Sequence, residues 1–345
     1  MGWPALASSL SRVKRVNTDK ISTMKIQFRV LITDRAWPDS DIERAILQEA
    51  GAELIEATAT DEATLAELAR DVDAIGTNWA RVTEPVIRSC TKCKIVARFG
   101  IGLDNIDVRV ATELGIPVTN CPDYCVSEVS DHALGLLLAC ARRIGFFHWR
   151  TKQGEYNPGA ATTMRRLSSQ TVGLIGLGHT ARELVPKLRA IGFKVIAHTR
   201  SGNSHGTDCQ MVSLKDLLTQ SDFVSLHAPL TPETHHLINA ERLGLMKPTA
   251  YLINTSRGGL IDASVLWNAI HTNKLAGAAL DVFEPEPPDL NLPLYRDERV
   301  IVTPHAAFVS AESLEQLRRQ ATHQIVQALH GRRPDNVVNS GFDKR

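Results

Sequence analysis

Twice along this 345-residue chain, short apolar runs alternate with helical patterns, and that alternation limits the fold more than any other feature of the sequence. The first series contains Val30 to Ile32, Ala74 to Gly76, Ile95 to Ala97 and Ile116 to Val118, with a helical stretch from Ser40 to Glu49 after the first run. The second begins at Thr171 and continues to Thr303. Runs this short and this apolar read as strands buried on both faces, and strands that alternate with helices require crossover connections and a parallel sheet. Two series in a chain of this length predict two domains. Between them, Ser127 to Ile144 reads as a long helix with Ser127 as its N-cap. A matching helix, Ala311 to Leu329, follows the last strand, and Asn336 to Asn339 is expected to return to the first domain. Pro122 and Pro304 punctuate the crossings.

The expected architecture is therefore α/β, with two doubly wound parallel-sheet domains. A dinucleotide-binding domain of Rossmann type, residues 124–306, is inserted into a flavodoxin-like substrate domain made of residues 24–123 and 307–340. Residues 1–23 carry Arg12, Lys14, Arg15 and Lys20 against Asp19, lack the apolar core of a secretory signal, and read as a flexible extension. A formal charge of +1 argues against nucleic acid or an anionic membrane as partner, and no stretch has the length of a membrane span. Six cysteines without a secretory signal point to reduced thiols in the cytoplasm. Cys90, Cys93, Cys121 and Cys125 could be drawn as a zinc site. Small thiols flanking a strand are the better reading, and no metal is expected.

Thr171 to Ala181 is an apolar strand leading through Gly176 and Gly178 into a helix expected from Arg182 to Ile191. Gly176 makes the tight turn, Gly178 lets the backbone approach a pyrophosphate, and Ala181 is small enough for close helix–strand packing. The pyrophosphate then sits where free N–H groups favour negative charge. The next strand, Lys194 to Ala197, ends in His198-Thr199-Arg200, with no acid to hold ribose hydroxyls. Arg200 can pair with a 2'-phosphate, which favours NADP over NAD.

Downstream, Arg257, Glu286 and His305 each follow an apolar run: Ala250 to Asn254, Gly277 to Val282 and Arg299 to Thr303. In an open parallel sheet the ligand crevice lies outside the carboxyl ends of the strands, so a guanidinium, a carboxylate and an imidazole converge there. The combination suits a substrate carboxylate gripped by Arg while a His, partnered by an acid, moves a proton.

With both sites in view the chain resembles the D-isomer-specific 2-hydroxyacid dehydrogenases, from about Lys25 to Asn339. The motifs are Phe99-Gly-Ile-Gly-Leu-Asp-Asn-Ile-Asp107, Gly173 to Ala181, His227-Ala-Pro-Leu-Thr-Pro232, Ile253-Asn-Thr-Ser-Arg-Gly258, Leu280-Asp-Val-Phe-Glu-Pro-Glu-Pro287 and Thr303-Pro-His-Ala306. Asp123 to His132 is similar to the branch that includes the C-terminal-binding-protein corepressors. The resemblance implies an oxidoreductase that passes a hydride between NAD(P)H and a small 2-oxo acid to give a D-2-hydroxy acid.

In that scheme Arg257 binds the substrate carboxylate and polarises the 2-oxo group, His305 is the acid/base, and Glu286 bonds His305 to keep it protonated. Gly176, Gly178, His179, Thr180, Thr199, Arg200, His227, Pro229 and Thr255 are expected around the cofactor. Asp281 matches a position that orients the nicotinamide carboxamide. Ile101 and Gly102 offer N–H groups to the substrate, with Gly100 and Gly102 permitting the turn, and Asn78 and Trp79 shape its pocket. Thr77 stands where phosphoglycerate dehydrogenases carry an Arg for the substrate phosphate, so an unphosphorylated acid of glyoxylate or hydroxypyruvate type is favoured. A phosphoglycerate or other D-2-hydroxyacid dehydrogenase is the alternative, and a dinucleotide-sensing corepressor-like binding protein is the rival of another class. A homodimer follows from the resemblance alone.

Overall fold

The computed structural model describes residues 26–161 and 164–340; the extension expected at residues 1–23 lies outside them. The chain divides into two compact units, Met1–Pro122 with Leu317–Arg345, and Asp123–Gln316. The second division falls within the helix Ala311–Leu329, later than the 306/307 boundary expected from the sequence.

In the first unit β1 (Phe28–Ile32), β2 (Ala52–Glu56), β3 (Ala74–Thr77), β4 (Val96–Arg98) and β5 (Val118–Thr119) form a sheet in the order β2-β1-β3-β4-β5. Every pairing is parallel, and the order is the flavodoxin-like one. β3 and β4 are buried along their whole length, which is why they read as unbroken apolar runs rather than alternating ones. The chain end returns as expected: Val338 N donates to Val118 O at 2.9 Å, and Asn339 Oδ1 accepts from Val118 N at 2.8 Å. Arg318, on the last helix, meets Glu43 at 2.8 Å with both side chains buried, and breaking such a pair costs about 3–5 kcal/mol.

In the second unit β6 (Thr171–Ile175), β7 (Lys194–His198), β8 (Gln210–Met211), β9 (Phe223–Leu226), β10 (Tyr251–Asn254), β11 (Gly277–Leu280) and β12 (Val300–Val302) lie in the order β12-β11-β10-β9-β6-β7-β8. This parallel sheet has the dinucleotide-binding order with one strand added at its edge, and its direction of winding reverses between β6 and β9. Leu174, Phe223, Tyr251, Ile253 and Ala279 pack one face against the helix Val126–Ala141 and the helix His179–Ala190. Leu226, Leu252, Ala278 and Leu280 fill the other.

Three local readings differ from expectation. The helix expected from Ser127 runs Val126–Ala141 with Cys125 at its N-cap, and Ser127 makes no capping bond, because the i→i−4 ladder already starts with Val129 N donating to Cys125 O at 3.0 Å. It stops before Ile144 because Arg143 turns left-handed, φ 54°, after a tight i→i−3 bond to Cys140 O, and a second helix, Ile144–Lys152, follows. The helix after the glycine loop begins at His179 rather than Arg182. Of the four thiols considered for zinc, Cys90 and Cys93 lie against each other, Cys90 Sγ also meeting Val72 O and Cys93 Sγ meeting Ile95 O, while Cys121 Sγ meets Arg98 O and burial pushes the Cys125 thiol up to about 12; no three of them gather among the described residues.

Candidate active site

At the end of β6 the chain turns at Gly176 with φ 94°, and Gly176 N donates to His198 O at 2.9 Å. A Cβ here would lie 2.6 Å from His227 O, so the position is reserved for glycine by the neighbouring strand end as well as by the turn. Gly178 differs. Its φ is ordinary and a Cβ would meet nothing within 4 Å, so its missing side chain leaves open space at the N-cap of a 12-residue helix. The first N–H groups of that helix, on His179, Thr180 and Ala181, have no intrahelical acceptor, and they front this space. Ala181 is fully buried against β6, as its expected packing role requires. The cradle fits a dinucleotide pyrophosphate. His179 Nδ1 lies 2.7 Å from Asp123 Oδ1 in an exposed pair.

His198 Nδ1 is 3.0 Å from Val212 O and Thr199 Oγ1 donates to Asn203 O at 3.1 Å, so both side chains secure the loop after β7. Arg200 is exposed and bears on Glu233. The Glu233 carboxyl lies below its ordinary range, chiefly through the Thr231 hydroxyl and backbone and, against some desolvation, through Arg200. Glu233 is a neighbour that sequence reasoning missed, because it comes from the turn after β9. At the end of β9, burial pulls His227 down to about 4, so its ring is neutral at pH 7, with Nε2 2.9 Å from Ser225 Oγ. Pro229 O accepts from Thr234 Oγ1 at 2.7 Å.

Past β10, Asn254 clamps its own loop: Oδ1 accepts from Ser256 N at 3.0 Å and Nδ2 donates to Arg257 O at 2.8 Å. Thr255 Oγ1 is buried without a protein partner, a polar atom to be satisfied by something the chain does not supply. Arg257 Nη1 donates to Ser256 O at 2.8 Å. The following residue, Gly258, packs so hard on the β11 loop that a Cβ would lie 1.9 Å from Phe283 C. That contact sets the Arg257 loop beside the one bearing Glu286.

Glu286 uses both oxygens. Oε1 accepts from Phe283 N at 2.8 Å and Oε2 meets His305 Nδ1 at 2.7 Å. Burial pushes its pKa up, but the bond to His305, the imidazole charge, the Phe283 N–H and the Arg257 guanidinium together hold it below the ordinary range. His305 has φ 52°, unusual for a residue with a side chain, and its N–H donates to Asp281 O at 2.8 Å.

Asp281 departs from its expected role. Its side chain has no exposed surface: Oδ1 accepts from Thr303 Oγ1 at 2.6 Å and Ala306 N at 2.9 Å, and Oδ2 from Ala307 N at 2.9 Å. A carboxylate enclosed in this way fixes the turn that carries His305 and presents no oxygen to a ligand. His132 completes the cluster, with Nε2 3.0 Å from Thr303 Oγ1 and 3.5 Å from Asp281 Oδ1. His132 ends the Asp123 to His132 motif, but sequence gave no partner for it.

The first unit carries the other expected residues at the carboxyl ends of β3 and β4. Trp79 and Ile101 are exposed at 47% and 40%, so both offer surface for a substrate. Asn78 is buried at 3%, with Nδ2 donating to Phe99 O at 2.7 Å, and so ties two strand ends together, while its Oδ1 is buried without a hydrogen-bond partner. Asp34, missed in the sequence, accepts from the N–H groups of Asn78 at 2.9 Å and Trp79 at 2.6 Å. Gly100 takes φ 151°, whereas Gly102 needs no positive φ; its carbonyl accepts from Arg98 Nε at 3.0 Å. The φ of Gly100 reserves that position for glycine, and the guanidinium of Arg98 lies 2.8 Å from where a Cβ would be. Thr77 is fully buried, its hydroxyl bonded to Thr33 and Ala80 O.

Residues 134–307 match the family model described as D-isomer specific 2-hydroxyacid dehydrogenase, NAD binding domain. A glyoxylate reductase of Thermococcus litoralis is 35% identical over 285 residues, 80% of this chain and 86% of that protein. The chain belongs to the D-isomer specific 2-hydroxyacid dehydrogenases. The dehydrogenase is also 37% identical over 316 residues to a D-3-phosphoglycerate dehydrogenase of Methanocaldococcus jannaschii, covering 90% of this chain but spanning 59% of that relative's length. Among solved structures, an NADPH-dependent glyoxylate/hydroxypyruvate reductase from Sinorhizobium meliloti, in complex with citrate, superposes with a TM-score of 0.80 at 29% identity over 91% of this chain and 99% of the other. This dehydrogenase is therefore a nicotinamide-dependent oxidoreductase acting on D-2-hydroxy acids. No helix among its described residues is long and apolar enough to cross a membrane.

Proposed function

We propose that this dehydrogenase reduces a small, unphosphorylated 2-oxo acid of the glyoxylate or hydroxypyruvate class to the D-2-hydroxy acid, with NADPH preferred. The observation that carries the reading is the 2.7 Å contact between Glu286 Oε2 and His305 Nδ1, on a turn fixed by a buried carboxylate. With Nδ1 engaged by Glu286, Nε2 is the ring nitrogen that gives its proton to the substrate oxygen. Glu286 offsets the positive charge of the imidazolium before that transfer. Arg257 binds the substrate carboxylate and compensates the charge that develops on the carbonyl oxygen. When bound, the reduced nicotinamide supplies the hydride that the 2-oxo carbon accepts.

Gly176, Gly178, and the N–H groups of His179 and Thr180 would hold the pyrophosphate, with Thr255, His227 and Pro229 lining the cofactor on neighbouring strand ends. Trp79, Ile101 and Gly102 would meet the substrate. The fully buried Thr77 offers no cation for a phosphoryl group, which supports an unphosphorylated acid. Exposed Arg200, at a strand end without an acid of its own, supports NADPH, whose 2'-phosphate it would pair with. A cytoplasmic homodimer completes the reading, supported by six free cysteines and by the family.

The test is a panel of 2-oxo acids assayed with NADPH and with NADH. Glyoxylate or hydroxypyruvate should give the highest kcat/KM, and Arg200→Ser should narrow the difference between the two cofactors. A clear preference for NADH or for a phosphorylated acid refutes the corresponding part. His305→Ala should lower kcat by about 10²–10⁴-fold while NADPH affinity is kept. Equal loss of both would remove His305 from proton transfer.

A further inference from the structure

We propose that His235, His236 and Glu284 form a binding site for a divalent late transition-metal ion on the surface of the dinucleotide-binding unit. His235 Nε2 lies 3.3 Å and His236 Nε2 3.6 Å from the same oxygen, Glu284 Oε2. Their ligand-capable atoms all lie within 4.8 Å of one another, which holds for no other group of histidine, cysteine and acid side chains among the described residues. An ion bound at 2.0–2.1 Å to tetrahedral ligands places those ligands about 3.3 Å apart, so the two distances to Glu284 are already near the required value and the stacked imidazoles need only rotate to bring their nitrogens, within 4.8 Å, onto the ion.

The ligands are held from behind. His236 takes a left-handed φ of 50° while its N–H donates to Gly259 O at 2.7 Å, and the two imidazoles stack with centroids 3.9 Å apart. Glu284 leans over Gly259, where a Cβ would come within 2.9 Å of Oε1. Two sequence-adjacent histidines are thereby turned toward one carboxylate, where an extended backbone would point them apart. All three side chains remain partly open to solvent, at 47%, 41% and 46%, so an ion can enter and keep water on its outer face. Two imidazoles and one carboxylate favour Zn²⁺, Ni²⁺ or Cu²⁺ over Mg²⁺ or Ca²⁺, which prefer all-oxygen ligands. The site is built on the same two loops as Arg257 and Glu286 but from other side chains, and it does not depend on which 2-oxo acid is reduced.

The experiment is calorimetric titration of the full, thiol-reduced chain with Zn²⁺ alone in chelator-free buffer at pH 7.5. One ion per chain should bind, and Mg²⁺ in excess should not displace it. Affinity should fall on acidification, because protons compete for the ligand nitrogens. His236→Asn, chosen because Asn tolerates a left-handed φ, and Glu284→Gln should each weaken binding at least about 10-fold. His235→Ala, at an ordinary φ, carries the test if the first variant does not fold. Absence of saturable binding, or binding that all folded variants retain, overturns the site. Buried Cys125 and Cys140, pushed up to about 12, are poor competitors, and a thiolate charge-transfer band with Co²⁺ would expose them if they bound instead.

Discussion

Replacing Asp281 with Asn separates two roles for this residue, holding the His305 turn and touching the cofactor. The carboxylate receives Thr303 Oγ1 and Ala306 N on one oxygen and Ala307 N on the other. An Asn side chain can keep its oxygen toward the first two donors. Its NH₂ group then faces the Ala307 N–H, donor against donor. Losing one charge-assisted bond costs about 1.5–3 kcal/mol, and weakening the other two from charged to neutral costs about 1 kcal/mol each. Relief from burying a charge offsets part of this. A net loss of about 2–4 kcal/mol remains, which for a unit of this size lowers Tm by roughly 5–15 °C. His305 hangs from the same turn, so a displacement of even 1 Å lowers kcat by about 10²-fold. Calorimetric unfolding and steady-state kinetics at saturating cofactor measure both effects. A variant with unchanged Tm but a raised KM for cofactor would refute the reasoning, because it would show the carboxylate serving the ligand rather than the turn.

Three further outcomes follow from the geometry. Glu286→Gln removes a carboxylate held below its ordinary range, so the stability it contributes is present above the unfolded glutamate pKa and is lost as pH falls through the lower folded value. In urea unfolding, wild type should exceed the variant by a constant margin near neutrality and by a shrinking one on acidification; the opposite trend would count against the pair. The same variant should shift the alkaline limb of the kcat/KM profile for reduction, where the proton donor is lost, and an unmoved limb would uncouple Glu286 from His305. Gly176→Ala and Gly178→Ala should part company. The first forces a Cβ to 2.6 Å from His227 O at φ 94° and should lose about 2–4 kcal/mol of stability, whereas the second enters open space and should leave Tm alone while weakening NADPH binding in a fluorescence titration. Unaltered affinity in Gly178→Ala would mean that the cradle is not where the pyrophosphate lies.

Both sheets were legible because buried parallel strands announce themselves locally. Val96 to Arg98 and Tyr251 to Asn254 are buried throughout, so no solvent-facing residue interrupts the run. What could not be read was where a polar side chain points. Asp281 follows an apolar run just as a ligand-binding acid would, yet the donors that enclose it come from residues 303 to 307, beyond a separate strand. Asn78 is a second case, its amide nitrogen reaching back to Phe99 O. Ser127 offered a good capping side chain, but the ladder had already begun at Cys125. Arg257, Glu286 and His305 lie near one another because their placement depends on strand ends, a property of topology rather than of rotamers.

The site follows the sheet order more closely than the chain order, and this accounts for how five loops distant in sequence hold one geometry. Gly176 after β6 accommodates His227 after β9. Ser256 after β10 returns its hydroxyl to Leu226 O at the end of β9, at 2.8 Å. Gly258 after β10 admits the Phe283 backbone after β11, and Asp281 after β11 holds Ala306 and Ala307 after β12. Each loop is thus fixed by the loop beside it in the order β6-β9-β10-β11-β12, through one close approach or one set of hydrogen bonds at each step. A small residue or a buried acceptor is needed at every such contact, because the neighbouring backbone already occupies the space or presents the donor. The ordering gives the contacts a direction of consequence: a lesion at Asp281 reaches His305 across one strand boundary, while the Gly178 cradle lies three further boundaries away and should keep its affinity for the pyrophosphate.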